Sequence, residues 1–103
     1  MIDTMLDDTA LLAGFEACAL ESFHHADHVR VAWILLRRMP HDDALARFSA
    51  GLRKIAAAAG KPEKYDDALT RRYMSLIANA MRSERSWEEF SAANAGLLTW
   101  PPA

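Results

Sequence analysis

The chain has 103 residues, of which 51% are hydrophobic and 25% are charged, and its net charge is −2. This composition predicts one soluble globular domain over residues 1–103 and argues against a disordered chain. Because the charge is balanced and no apolar run is long enough to span a bilayer, we expect neither a nucleic-acid surface nor a membrane segment. The chain contains one cysteine, which leaves no intrachain disulfide, and we expect a cytoplasmic protein.

Hydrophobic spacing and capping residues predict five helical segments. The first runs from Asp8 to Leu20, the second from His25 to Met39, the third from Asp42 to Gly60 and the fourth from Lys64 to Arg82. A short fifth helix begins after Ser86, which has Glu89 three residues later in a capping-box pattern, and ends at Ala93. Short connections favour antiparallel neighbours, so we expect an all-α, up-and-down bundle of four main helices plus a short C-terminal helix.

The second helix is apolar on most of its sides. Val29 and Leu36 lie on one face, whereas Val31 and Ile34 lie on the opposite one. A helix of this kind is either central in its own fold or shared with a partner. We therefore expect a homodimer in which Val31 and Ile34 contact a second copy of the chain.

Three of the four histidines lie in the stretch from Phe23 to His28. At 100° per residue, His25 and His28 extend the apolar stripe of Val29 toward the N-terminus of the second helix. In the fourth helix, Asp66 lies on the inner stripe near the N-terminus in the same way. Because the second and fourth helices of an up-and-down bundle run in the same direction, His25, His28 and Asp66 should meet at one end.

Two imidazoles and one carboxylate are the ligand set of a facial triad. Such a set leaves open positions on a non-haem Fe(II) ion, and zinc could use it as well. We therefore expect a small-molecule-processing enzyme or enzyme-like protein in which His25, His28 and Asp66 hold a divalent metal. The expected contacts to a small-molecule substrate are Glu21, Tyr65, Thr70 and Tyr73.

Two other interpretations remain open. Without a metal, His25 or His28 could transfer a proton while Asp66 orients the imidazole. In a non-catalytic ligand-binding or dimeric interaction protein, the same His/Asp cluster would be a structural hydrogen-bond network completed by Tyr65, Thr70 and Tyr73. A concave pocket between the N-termini of the second and fourth helices would favour small-molecule chemistry, whereas a filled end would favour the structural role.

The stretch Phe23 to Trp33 reads FHHADHVRVAW, and Lys64-Tyr65 and Thr70 follow the glycine at position 60. This arrangement resembles a family of small, mostly uncharacterised bacterial all-helical proteins. Their pattern is F-x-H-x-x-H-[LV]-x-x-A-[WY], then a Gly-rich turn, then K-Y-H-x-T-x-T, and finally a Leu-Leu pair in the tail. The similarity covers most of the chain, from about Phe15 to the pair Leu97-Leu98.

The resemblance assigns His25 and His28 to the two histidines of the first motif. In the second motif Asp66 replaces the histidine and Ala68 replaces the first threonine, whereas Thr70 is retained. The resemblance implies a site at the end of the bundle where His25, His28 and Asp66 are expected to meet, and it implies a biosynthetic setting. It implies no particular reaction. A three-histidine site of the family would be a two-histidine, one-aspartate site in this chain.

Overall fold

The computed structural model describes residues 7–19 and 24–98 of the chain. Within these ranges five α-helices follow one another: α1 (Asp8–Glu16), α2 (His25–Arg38), α3 (His41–Ala58), α4 (Asp67–Ala80) and α5 (Trp87–Ala93). A 3-10 turn at Pro62–Lys64 precedes α4, and a second one at Ala95–Leu98, here called the C-terminal turn, follows α5. The predicted all-α bundle is confirmed.

The first helix ends earlier than predicted, because a Schellman motif stops it at Glu16. Cys18 takes a left-handed conformation with φ of 56°, and the backbone N–H of Ala19 donates to the carbonyl of Gly14. The predicted end at Leu20 lies outside the described residues. The third helix ends in the same motif at Gly60, with φ of 74°, as the glycine there predicts.

The fourth helix begins later than predicted, and this changes the position of Asp66. The expected start at Lys64 is wrong, because Pro62–Lys64 forms a 3-10 turn and α4 begins at Asp67. Asp66 is the extended N-cap residue, with φ of −124° and ψ of 108°, and its Oδ1 accepts a 3.0 Å hydrogen bond from the backbone N–H of Leu69. Helical spacing does not apply to an extended residue, so Asp66 does not continue the inner stripe.

The second helix is the centre of the fold. It packs against α1, α3, α4 and the C-terminal turn. Val31 and Ile34 are 0% and 1% exposed, so both are covered by other parts of the same chain. The expectation that these two residues form a dimer surface is therefore wrong. A helix that is apolar on most sides is here the central helix of the chain's own core, and the homodimer stays a prediction without this support.

Polar contacts between helix ends define the direction of the helices. Arg38 at the end of α2 donates to the hydroxyl of Thr9 at the start of α1, at 3.4 Å. Arg53 in the second half of α3 lies 3.6 Å from the carboxylate of Asp67 at the start of α4. Each contact joins the end of one helix to the start of another, as in antiparallel neighbours. Only Pro40 separates α3 from the C-cap of α2, and so short a connection makes α2 and α3 antiparallel as well. The N-termini of α2 and α4 therefore lie at the same end of the bundle.

An ion pair at its start and a close approach near its end both help to hold the first helix to the core. Arg30 is buried on α2, and its Nε and Nη2 both donate to Oδ1 of Asp8, at 3.2 and 2.8 Å. At the other end of α1, the ring of Phe15 stacks on Phe48 at 5.8 Å and lies directly against Gly51 of α3. No helix in the described part of the chain has the length and apolar character needed to cross a bilayer.

Candidate functional site

A pocket of about 90 Å³ lies where the N-terminal halves of α2 and α4 meet the middle of α3. We call it the histidine pocket. Its lining residues are His25, His28, Val29, Phe48, Leu52, Leu69, Thr70, Tyr73 and Ile77. Most of this lining is apolar, with two imidazoles and two hydroxyl-bearing residues as the polar members. The common orientation of α2 and α4 thus places both predicted histidines in one pocket with Thr70 and Tyr73.

His25 is the first residue of α2 and is fixed by two contacts. Its ring meets the ring of Tyr73 edge-on, with centroids 5.1 Å apart and an interplanar angle of 75°. Its Nε2 lies 2.9 Å from the backbone carbonyl oxygen of Leu97. Because a carbonyl oxygen only accepts hydrogen bonds, Nε2 must carry the proton. In neutral His25 the accepting nitrogen is therefore Nδ1.

His28 lies almost one helical turn further along α2 and also lines the pocket. Its ring centroid is 6.4 Å from that of His25, and the two rings are inclined by 42°. Both imidazoles are half-buried. Each can donate and accept hydrogen bonds, so α2 contributes a pair of adjacent groups able to exchange protons with a molecule in the pocket.

The two polar residues of α4 that line the pocket are Thr70 and Tyr73. The Thr70 hydroxyl donates a 2.8 Å hydrogen bond to the backbone carbonyl oxygen of Asp66, and its oxygen remains an acceptor. Tyr73 is 7% exposed. Burial raises the pKa of its phenol, and the positive charge of Arg72 acts in the opposite direction. The phenol is therefore protonated at neutral pH.

Two other predicted site residues, Tyr65 and Asp66, are not among the residues that line the pocket. Asp66 is exposed, and its carboxylate caps α4. Tyr65 donates from its hydroxyl to Oδ1 of Asp67 at 2.9 Å, and the guanidinium carbon of Arg53 lies 4.8 Å from the centre of its ring. Both residues thus belong to the start of α4 at the protein surface. Glu21 lies outside the described residues.

The expected metal centre is not assembled as a set of three ligands. Across residues 7–19 and 24–98, no group of three His, Cys, Asp or Glu side chains is arranged so that it could hold a metal ion. The structure brings His25 and His28 into one pocket, and the expectation that Asp66 points toward them is wrong. The physical reason is the late start of α4, which makes Asp66 an N-cap instead of a residue in the first helical turn.

Sequence patterns indicated only part of the pocket. Phe48 and Leu52 belong to an apolar stripe of α3 that is typical of a core, and nothing in their spacing distinguishes pocket from core. The contact of Leu97 with His25 involves a backbone carbonyl, which has no side-chain signal.

Comparison of the chain with protein-family models, with curated proteins and with solved structures gives no match. The resemblance to a family of small bacterial helical proteins stays a prediction. A function for the chain must therefore be argued from the histidine pocket itself.

Proposed function

We propose that the chain binds a small organic molecule in the histidine pocket and that His25 and His28 exchange protons with it as general acid and base. One observation carries this function. Two imidazoles of α2 line the same apolar pocket as Thr70 and Tyr73 of α4. Small-molecule sites have this character, with mostly apolar walls and a few polar groups that orient the ligand.

The size of the pocket limits what enters it. Its volume of about 90 Å³ is smaller than the roughly 150 Å³ of an engineered cavity that holds benzene. Sites that enclose a whole drug-sized ligand measure roughly 300–1,000 Å³. The histidine pocket therefore accommodates either a very small molecule or one end of a larger molecule whose remainder lies outside.

The proposed chemistry follows from the hydrogen bond of His25 and from the position of His28 in the same pocket. Nε2 of His25 is engaged with Leu97, so Nδ1 is the atom of His25 that would accept a proton from a ligand. His28 would act as the second group, giving or taking a proton on the neighbouring side of the pocket. Positioned groups of this kind typically accelerate proton transfer by about 10²–10⁴-fold.

A specific contact also favours a structural role for His25. Its hydrogen bond to Leu97 fastens the C-terminal turn to the start of α2. A His25 variant would therefore change stability and ligand binding together. Substitutions at His28 and Leu69 are better tests of binding, because neither side chain makes this contact.

The test is a screen of small organic fragments by ligand-observed NMR against three proteins: the parent chain, Leu69→Phe and Leu76→Phe. Leu69 lines the pocket, whereas Leu76 is 36% exposed on the same helix and serves as the matched control. We expect fragments that bind the parent and Leu76→Phe but lose binding in Leu69→Phe, whose added ring volume occupies the pocket. If every bound fragment binds all three proteins equally, the pocket is not the site.

Metal binding is a separate prediction that now depends on His25 and His28. If it is correct, Zn²⁺ at micromolar concentration shifts the NMR signals of both rings, and His28→Ala abolishes the shift of His25. If both rings keep their signals in the presence of Zn²⁺, the metal prediction is wrong while small-molecule binding is unaffected.

A further inference from the structure

We infer that a second pocket, at the opposite end of α2 from the histidine pocket, binds the phosphate group of a small soluble phosphate monoester. This pocket has a volume of about 230 Å³ and is lined by Asp8, Ile34, Arg37 and Arg38. We call it the arginine pocket. His28 and Arg38 belong to the same helix, in which a rise of 1.5 Å per residue separates them by about 15 Å. The inference therefore goes beyond the function proposed for the histidine pocket and does not depend on it.

The arginine pocket contains two permanent positive charges. Arg37 and Arg38 are exposed in the last turn of α2, and a guanidinium group stays protonated in proteins. Within residues 7–19 and 24–98, the ion pairs of the chain involve other arginines and one histidine, and neither Arg37 nor Arg38 is paired with a carboxylate. Both charges are thus open to an anionic ligand.

Most of the N–H donors of these two arginines are also open to a ligand. Each guanidinium has five such donors. Nη2 of Arg38 donates one long hydrogen bond, of 3.4 Å, to the hydroxyl of Thr9. The guanidinium carbon of Arg37 lies 4.6 Å from the centre of the Trp33 ring, and a cation–π contact uses no N–H in a hydrogen bond to an acceptor atom. These two contacts position the guanidinium groups and leave their other donors for an anion.

The carboxylate of Asp8, which also lines the arginine pocket, has its own cationic partner. Nε and Nη2 of Arg30 both donate to Oδ1 of Asp8, at 3.2 and 2.8 Å. The side chain of Arg30 is 11% exposed and that of Asp8 is 33% exposed, so the pair is partly shielded from water. Because Arg30 balances the charge of Asp8, the charges of Arg37 and Arg38 remain uncompensated.

Two guanidinium groups side by side favour a doubly charged oxyanion. Each can donate two parallel hydrogen bonds to phosphate, a geometry that a lysine does not provide. A phosphate monoester carries almost two negative charges at neutral pH and has three strong acceptor oxygens, so it matches the charge and the donors of Arg37 and Arg38. A long polyanion such as a nucleic acid is disfavoured, because the chain as a whole has a net charge of −2.

The experiment titrates methyl phosphate and methyl sulfate into protein with ¹⁵N-labelled arginine at constant ionic strength. The pH is about 7.5, which is above the second pKa of about 6 of a phosphate monoester. The two probes have the same methyl group and the same tetrahedral shape, but they differ by one charge. We expect saturable shifts of the Nε–H signals of Arg37 and Arg38. Methyl phosphate should bind about five-fold more tightly than methyl sulfate, because one added charge about 4 Å from a cation contributes about this factor in water.

Two matched variants separate the arginine pocket from a general effect of charge. Arg38→Gln and Arg72→Gln each remove one positive charge from an exposed helical arginine, and Arg72 does not line this pocket. We expect Arg38→Gln to weaken the binding of methyl phosphate by about ten-fold, the effect of losing a hydrogen bond to a charged group. Arg72→Gln should change it by less than about two-fold, since salt screens exposed charges. Arg37→Lys keeps the charge without the planar fork and should weaken binding by more than about two-fold.

Each remaining outcome would overturn part of the proposal. Shifts that do not saturate, or equal weakening by Arg38→Gln and Arg72→Gln, would overturn the site. Equal affinity for methyl sulfate and methyl phosphate would overturn the ligand class. Binding to phosphatidylcholine vesicles only when they contain phosphatidic acid, whose headgroup is a phosphate monoester, would overturn the soluble source of the phosphate. Circular dichroism checks that each variant folds. Should a variant unfold, saturation of the Arg37 and Arg38 signals in the parent protein decides the proposal.

Discussion

Nε2 of His25 and the backbone carbonyl oxygen of Leu97 are joined by a hydrogen bond of 2.9 Å, although the two residues are 72 positions apart in the chain. The bond connects the start of α2 to the C-terminal turn. It also assigns the proton of neutral His25 to Nε2, because the carbonyl can only accept. One side chain therefore lines the histidine pocket and fastens the last described segment of the chain.

Substitution of His25 by alanine should lower the free energy of unfolding by about 1–2 kcal/mol, since it removes this hydrogen bond and the packing of the ring on Tyr73. Urea unfolding measures the change. His41→Ala is the control, because His41 is exposed at the start of α3 and its loss should cost less than about 0.5 kcal/mol. Equal effects of the two substitutions would show that the contact with Leu97 contributes nothing.

Substitution of Gly51 by alanine should destabilise the protein, although alanine is favoured over glycine in a helix by about 1 kcal/mol. A Cβ at position 51 would overlap the ring atoms Cε2 and Cζ of Phe15. Overpacking of this kind costs about 1–3 kcal/mol, so we expect a net loss. The second substitution Phe15→Leu should recover part of it, as a double-mutant cycle would show. A stabilised Gly51→Ala protein would contradict the close approach of α1 to α3.

Two reciprocal substitutions test the left-handed residues that end α1 and α3. Cys18 has φ of 56°, a conformation that costs a residue with a Cβ about 1–2 kcal/mol, whereas glycine adopts it freely. Cys18→Gly should therefore raise the free energy of unfolding by about 1 kcal/mol. Gly60→Ala should lower it by a similar amount, because φ is 74° and an added Cβ would meet open space. Stability changes of the same sign would contradict this account.

Asp67 should titrate below the usual range of an aspartate. The hydrogen bond from Arg71, followed by that from Tyr65, lowers the pKa of Asp67. A pKa lower in the folded than in the unfolded state stabilises the protein above the unfolded value, and this contribution is lost as pH falls through the folded value. Carboxyl ¹³C NMR measures the pKa. Arg71→Gln should raise it toward the usual value, and Arg72→Gln should leave it unchanged.

The fold was largely predictable, because amphipathic spacing and short connections indicate an antiparallel helical bundle. The N-cap role of Ser86 was correctly predicted, and its Oγ accepts from the backbone N–H of Glu89 at 3.2 Å. The end of α1 was not predicted, because a cysteine at the left-handed position gives none of the usual glycine signal. Whether Val31 and Ile34 face the core or a partner also depends on tertiary packing, which spacing alone does not determine.

Asp66 was misplaced although the sequence contains a signal for its true position. An aspartate followed by a second acidic residue and then by good helix formers is typical of an N-cap. Interpreted as an N-cap, Asp66 is predicted to accept a hydrogen bond from the backbone N–H of Leu69, and this is the observed contact. By contrast, the pairing of His25 with the carbonyl of Leu97 had no pattern that could have predicted it.

The most direct test of small-molecule binding in the histidine pocket is a set of intermolecular nuclear Overhauser effects. The parent protein is saturated with the fragment that binds it most tightly in the screen, and contacts from the protons of that fragment are assigned. We expect contacts to the methyl groups of Leu52, Leu69 and Ile77, which line the pocket. Contacts confined to other side chains, or no contact from the fragment at saturating concentration, would contradict the central claim.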